Sequence, residues 1–278
     1  MNYLEFTFTL EDQEMQDILI ALLAEMGFDT FDETGHLLLA YTDADAFDEA
    51  RTEALNTLCA QLNCSYRYTT MADKNWNEEW EKQFQPVIIE NRCIIRAPFH
   101  QADDSYEQEI IIAPRMAFGT GHHASTYLMV QAMMDMDLRE KTICDAGTGT
   151  GVLAILAAKL GATDILALDN NEWAYNNALD NLALNDVLEV VDMQLAEPPL
   201  IQDKKFDVIL ANINRSVILE YMELFRHALN DRGTLLLSGI LTADMPLITR
   251  AAASAGLQEV RNLTREDWSC VEYTIHAD

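Results

Sequence analysis

The sequence predicts an α/β protein in two parts: a doubly wound, mostly parallel sheet with helices on both faces, preceded by a small βαββαβ unit of the ferredoxin-like α+β type. Three observations predict it. From Thr126 onward, short apolar runs alternate with helical periodicities, the pattern of strand–helix–strand crossovers. One of those runs, Thr142-Ile-Cys-Asp145, passes through Ala146-Gly147-Thr-Gly149-Thr-Gly151 straight into a helix. In the first 70 residues, period-two and helical stretches follow the order β-α-β-β-α-β.

Leu4, Phe6, Phe8 and Leu10 alternate with Glu5, Thr7 and Thr9, the period of a half-buried strand. Met15, Ile18, Leu19, Leu22, Leu23 and Met26 recur at helical spacing, and Gly27 stops that helix. Residues 28–31 and 36–41 read as a hairpin around Asp32-Glu-Thr-Gly35. A second helix at 46–62 and a strand at 65–69 complete the unit. Residues 71–85 are mostly polar, and Trp76, Trp80 and Phe84 share one stripe of a short interdomain helix that Pro86 ends. Short strands follow at 87–89, 93–97 and 109–112, then a helix at 127–136. The large sheet takes strands at 143–145, 165–169, 189–195, 206–211 and 233–238. Residues 257–263 and 270–276 add a final pair with one antiparallel strand. The expected division is residues 1–70, a linker at 71–86 and a large domain at 87–278.

Length and apolar content suit a globular chain with a proper core. No apolar run reaches the roughly 18 residues of a membrane span, and the start lacks the basic end and apolar stretch of a signal peptide. The five cysteines are odd in number and without paired spacing, which reads as reduced thiols in a cytoplasmic protein. A monomer is expected, for want of an exposed apolar stripe. Net charge is −28, which disfavours a nucleic-acid backbone as partner and favours a basic one. Residues 1–70 alone carry 14 acids against Arg51 and Arg67, a net of −12. The same excess is also compatible with solubility alone.

A strand ending in alternating glycines lets backbone approach a nucleoside closely, because a Cβ would block the approach and the turn needs unusual φ values. Eighteen residues past Gly151, the run Ile165-Leu-Ala-Leu168 ends in Asp169, where an acid can accept hydrogen bonds from both ribose hydroxyls. A dinucleotide fingerprint counted from Gly147 would need a third glycine at Val152. The spacing found instead, with Asp145 two residues ahead of Gly147, is similar to that of S-adenosylmethionine-dependent methyltransferases, in which that first acid faces the methionine ammonium. Ala211-Asn212-Ile213-Asn214 follows the fourth strand of the sheet. An Asn212 oxygen there can accept a hydrogen bond from a substrate nitrogen and aim its lone pair. Upstream, Phe118-Gly119-Thr120-Gly121-His122-His123 opens a helix and reads as a flap hinged on its glycines, with Thr126 as N-cap or cofactor contact. Adjacent histidines without Asp or Cys partners at ligand spacing do not predict a metal.

Together, the flap with His123, the glycine turn continuing into Val152-Leu-Ala-Ile155, and Ala211-Asn-Ile213 resemble the PrmA-like family, which methylates large-subunit ribosomal protein eleven. The order and spacing of the segments and the small N-terminal domain all resemble that family, so the resemblance covers nearly the whole chain. It implies a class I, Rossmann-like fold, S-adenosylmethionine as cofactor and a large-subunit ribosomal protein as partner. By position it implies cofactor contacts at Thr126, Gly147, Asp169 and Asn212, with Phe118, Gly119 and Thr120 in the flap; Asp145 and Gly149 belong to the turn. The chain departs from the family pattern in places. Thr-His-Pro after the flap glycine is here His122-His123-Ala124, and loss of the proline is expected to loosen the helix start. Asp-Ile-Asp after the second strand is here Leu168-Asp169-Asn170, without the second acid. Ile-Leu after Asn212 is here Ile213-Asn214.

The reaction expected is in-line methyl transfer to lysine side chains, with the N-terminal amine as a further acceptor, and Asn212 orienting the nitrogen. Other readings stay open at this point: a methyltransferase for another protein or a small amine, and a cofactor-binding assembly protein without turnover. A nicotinamide oxidoreductase is disfavoured by Val152.

Overall fold

A computed structural model describes residues 3–9, 13–34, 37–44, 47–62, 64–71, 84–114 and 118–275. The chain forms two compact units, Met1–Gln83 and Phe84–Asp278. The expected aromatic stripe at Trp76 and Trp80 lies outside the described residues, as does the hairpin tip at Gly35.

In the first unit, β1 (Tyr3–Thr9), α1 (Gln13–Glu25), β2 (Thr30–Thr34), β3 (Leu37–Asp43), α2 (Glu49–Gln61) and β4 (Ser65–Met71) follow the predicted order. The strands pair antiparallel in the order β2-β3-β1-β4. Alternation along β1 puts Leu4, Phe6 and Phe8 on the helix-covered face, where they meet Leu19 and Leu23 of α1 and Leu55 of α2. Phe6 meets Phe28 edge-on at 5.1 Å, a preferred aromatic geometry. The second helix starts at Glu49 and not at 46, because the Asp48 carboxylate accepts from the Arg51 N–H at 2.9 Å and caps it there.

The second unit opens with a three-stranded sheet, β5 (Val87–Ile89), β6 (Cys93–Arg96) and β7 (Gln108–Ile111). Its β6–β7 pair is clamped by a two-pronged ion pair from the buried Arg96 to Glu109, at 2.6 and 3.0 Å. That guanidinium holds the Glu109 carboxyl below the usual range. Then follow α3 (Ala124–Met133), β8 (Thr142–Ala146), α4 (Val152–Lys159), β9 (Asp164–Asp169), α5 (Glu172–Leu184) and β10 (Val191–Leu195). After them come β11 (Phe206–Asn212), α6 (Arg215–Ala228), β12 (Leu229–Leu241), α7 (Met245–Ser254), β13 (Leu257–Arg265) and β14 (Trp268–Ile275).

The large sheet runs β10-β9-β8-β11-β12-β14-β13, with β14 antiparallel to both β12 and β13 and the remaining pairings parallel. Its central strands read as continuous apolar runs because both faces are covered. Ile165 and Ala167 join the core under α3, α4 and α5, while Leu166 and Leu168 join the core under α6 and α7. Strand order reverses between β8 and β11, which opens a crevice at their carboxyl ends. Among the described residues no helix is long and apolar enough to cross a membrane.

Candidate active site

The crevice is a cavity of about 530 Å³ at the carboxyl ends of β8, β9 and β11. Three chain segments build its floor. The glycine turn leaves β8 with φ of +77° at Gly147, +57° at Gly149 and +82° at Gly151, the left-handed region that glycine tolerates. The Gly147 and Thr148 N–H groups both donate to the Leu168 carbonyl, at 2.8 and 3.0 Å, which ties the turn to the end of β9. A Cβ on Gly149 would run into the Phe118 carbonyl oxygen, and one on Gly147 into the Ile213 side chain. The glycines therefore admit the flap and the β11 end as close neighbours, besides any ligand.

Asp169 lies at the crevice wall with its carboxylate fixed from both sides. Oδ2 accepts from the Gly149 N–H and Oδ1 from the Asn171 N–H, each at 3.0 Å. A carboxylate has about four lone-pair sites, so about two remain for a ligand. Asn212, at the end of β11, donates through Nδ2 to Thr126 Oγ1 at 3.2 Å. That bond leaves Asn212 Oδ1 buried and without a partner. A buried acceptor lacking a donor is costly unless a ligand supplies one.

The flap is tied down more firmly than its glycines suggest. Thr150 donates from its backbone N–H to Phe118 O at 3.0 Å and from Oγ1 to Gly119 O at 2.7 Å. Phe118, Gly119, Gly147, Gly149, Asp169 and Asn212 all line the cavity. Thr120, Thr126 and Asp145 do not. Thr126 is fully buried behind Asn212 and is not the helix N-cap. The helix begins at Ala124, and its cap is His123, whose Nδ1 accepts from the Ser125 N–H at 3.2 Å. Burial holds the His123 imidazole below its ordinary pKa, which keeps that lone pair available. So the helix start is capped despite the missing proline. His122 faces elsewhere, with Nε2 at 3.1 Å from Gln85 O.

Asp145 is fully buried beneath the turn, where Oδ2 accepts from Thr148 Oγ1 at 2.6 Å. Burial pushes its pKa up to about 7, against the opposing pull of the Thr148 hydroxyl and the Ala154 N–H. Asp145, implied by the resemblance as part of the cofactor turn, is fully buried and does not itself line the cavity. Strand alternation turns its side chain into the protein, and it supports the turn from below.

Sequence reasoning missed two groups. One is Trp268 at the start of β14, which lines the cavity and packs edge-on against His123 at 4.4 Å. Phe118 packs on the same imidazole at 5.0 Å. The other is an asparagine ladder along α5. Asn181 Oδ1 accepts from the Ala113 N–H at 2.9 Å, and its Nδ2 donates to Thr150 O at 2.8 Å. Asn185 brackets Ile111 through its N–H and its carbonyl. Polar residues at i, i+4, i+8 on an otherwise core-facing stripe (Asn177, Asn181, Asn185) were the available signal. Asn181→Leu is expected to orphan one buried and one part-buried backbone group and to cost about 2–4 kcal/mol of stability. Urea unfolding checks this, and a loss under about 0.5 kcal/mol, the range of an ordinary surface change, contradicts it.

The family model of ribosomal protein L11 methyltransferases (PrmA) matches residues 6–275. The chain belongs to that family. It is 40% identical over 285 residues to the ribosomal protein L11 methyltransferase of Porphyromonas gingivalis, covering 99% of this chain and 98% of that one. The corresponding protein of Chlorobaculum parvum is 40% identical over 276 residues, covering 96% and 94%. The crystal structure of a ribosomal protein L11 methylase from Lactobacillus delbrueckii subsp. bulgaricus superposes with a TM-score of 0.64 at 28% identity. It covers 69% of this chain and all of that chain. Family membership makes the chain a protein methyltransferase with a Rossmann-like catalytic unit, and S-adenosylmethionine use follows from the family.

Proposed function

We propose that this chain transfers methyl groups from S-adenosylmethionine to amino groups of ribosomal protein L11, lysine side chains first and the N-terminal amine as a further acceptor. The relatives' names give that substrate for those proteins. The observation that carries the reading here is Asn212, whose buried, unpartnered oxygen stands in the same cavity as the pinned Asp169 carboxylate and the glycine turn.

The residues fit the cofactor. Asp169 would take the ribose hydroxyls on its free lone pairs. Gly147 and Gly149 would let the turn lie against the methionine end, with Phe118 and Gly119 of the flap beside it. Thr126 would act through Asn212, and Thr120 and Asp145 from behind the wall. When bound, S-adenosylmethionine supplies an electrophilic methyl group on a sulfonium. The protein's own contribution is orientation. A lysine amine with an ordinary pKa near ~10.4 must shed a proton first, and desolvation between Phe118 and Trp268 favours the neutral form. Asn212 Oδ1 then accepts one N–H and fixes the direction of the lone pair, while the departing proton passes to water. His123 is unsuited to be the base, since its Nδ1 lone pair is committed to Ser125.

The acidic first unit would attract the basic substrate by long-range field and hold it outside the cavity. The test is Asn212→Ala. Its turnover on L11 is expected to fall about 10- to 100-fold, the worth of one oriented hydrogen bond to the reacting nitrogen. Its cofactor affinity should change by less than about tenfold, equivalent to about one modest contact. Turnover at the wild-type rate removes Asn212 from the mechanism.

A further inference from the structure

Thr150 sits between two glycines of the turn and is fully buried, yet its N–H, hydroxyl and carbonyl each bond outside the turn. The N–H donates to Phe118 O at 3.0 Å and the hydroxyl to Gly119 O at 2.7 Å. The carbonyl accepts from Asn181 Nδ2 at 2.8 Å, and the same Asn181 amide takes the Ala113 N–H ahead of the flap. The fit is close as well as bonded. A Cβ on Gly119 would come within 2.6 Å of the Thr150 hydroxyl, and one on Gly149 would strike the Phe118 carbonyl. Contacts continue beyond the flap. Phe118 packs on the His123 ring at 5.0 Å and His123 on Trp268 at 4.4 Å, and all three line the cavity. His123 is in turn fixed by Ser125, whose N–H and hydroxyl both meet its Nδ1. An uninterrupted set of contacts thus runs from the glycine turn to Trp268 on β14.

We propose that Thr150 is a positioning residue: its hydroxyl fastens the flap to the glycine turn and so sets Phe118, His123 and Trp268 as the wall against which the acceptor amine is oriented. This rests on the reading that S-adenosylmethionine lies on the turn and the acceptor between Phe118 and Trp268. Thr150 does not line the cavity and acts only through the flap. A valine would fill the same buried space without a polar group to satisfy, and a buried hydroxyl is costly unless it is bonded. Here the bond goes to a flap carbonyl and not to the helix that Thr150 precedes. The flap needs such a tie, because Gly119 at φ +111° and Gly121 at φ +91° give its backbone the freedom to move. In-line transfer tolerates little of that freedom, since a displacement of about 1 Å can cost on the order of 100-fold in rate.

The experiment uses the full chain with Thr150→Val, which keeps the shape and loses the hydroxyl, and Thr150→Ser, which keeps the hydroxyl and loses the methyl group. The kcat of the valine variant on L11 is expected to fall about 10-fold, the worth of one hydrogen bond and the carbonyl it orphans. Its KM for L11 should stay within about threefold, because the acidic first unit that docks the substrate is untouched. The serine variant should recover kcat to within about threefold of wild type. Hydrogen exchange read by mass spectrometry across residues 147–153 gives a readout apart from turnover. The N–H at position 150, bonded to Phe118 O, should exchange faster in the valine variant and regain protection in the serine one. A folded valine variant with wild-type kcat overturns the proposal, whatever its melting temperature, and so does unchanged exchange. A serine variant that falls 10-fold or more overturns it too, even if the valine protein fails to fold. A wild type that neither binds S-adenosylhomocysteine nor methylates L11 overturns instead the reading beneath it.

Discussion

Replacing Asp169 with alanine is expected to weaken S-adenosylmethionine binding by about 100-fold or more, on the basis of two charge-assisted hydrogen bonds at roughly 1.5–3 kcal/mol each. The magnitude follows from how the carboxylate is held. Both oxygens already accept a backbone N–H, from Gly149 and from Asn171, so the side chain is oriented before any ligand arrives. Little conformational entropy remains to be lost on binding. The alanine variant removes the ligand contact and also frees the Gly149 N–H at the middle of the turn. Asp169→Asn separates these effects. Its single amide oxygen can satisfy one backbone donor but not both, and it presents no negative charge. Affinity should therefore stay low in the amide variant while the melting temperature recovers toward that of wild type. Calorimetric titration with S-adenosylhomocysteine measures the first quantity and thermal unfolding the second. A dissociation constant within about threefold of wild type, a difference below 1 kcal/mol, would show that Asp169 does not hold the sugar.

The parts of this site that were legible in the sequence are those where a local rule and a ligand requirement coincide. Gly147, Gly149 and Asp169 are close to their strands in sequence, so the strand–turn–helix pattern places them without knowledge of the rest of the fold. Asn212 was legible because it ends a strong apolar run. The misses have a different cause. His123 is not among the usual capping residues, so the helix start was read late and Thr126 was offered as its cap. Asp145 was read as part of the cofactor turn because it is adjacent to the glycines. Its orientation depends on strand alternation at the end of β8, where one residue of phase decides between cavity and core. Trp268 reaches the cavity only because β14 inserts between β12 and β13, a long-range pairing that no local periodicity encodes. The asparagines of α5 were passed over for the same reason, since their partners Ala113 and Thr150 are remote in sequence.

The buried Asp145 should make the protein less stable as pH rises. Burial raises its folded pKa to about 7, against an ordinary value of 3.8. Folded protein therefore binds this proton more tightly than unfolded protein does, and between those two values the folded state holds more protons. Stability must then fall as pH rises. The contribution is fully present below about pH 4 and is lost as pH passes through about 7, a span worth on the order of 4 kcal/mol. Above that range the carboxylate is ionised in a fully buried setting, with only the Thr148 hydroxyl and the Ala154 N–H to offset the lost hydration. Asp145→Asn cannot ionise, and its oxygen can still accept from Thr148. The variant is expected to match wild type below about pH 4, to be the more stable protein by about 1–2 kcal/mol at pH 5, and at pH 8 by up to roughly the full amount. Carboxylates with lowered pKa, such as Glu109 and Asp137, contribute equally to both proteins and cancel in the difference. Urea unfolding at pH 5, 6.5 and 8 measures the two slopes. Parallel curves, or a variant less stable at pH 8, would place the Asp145 proton elsewhere. A charge kept at such cost beneath the cofactor turn is best understood as serving the site above it. Asp145→Asn should then combine higher stability at pH 8 with weaker S-adenosylmethionine binding, the opposition expected when a residue is retained for function and not for the fold.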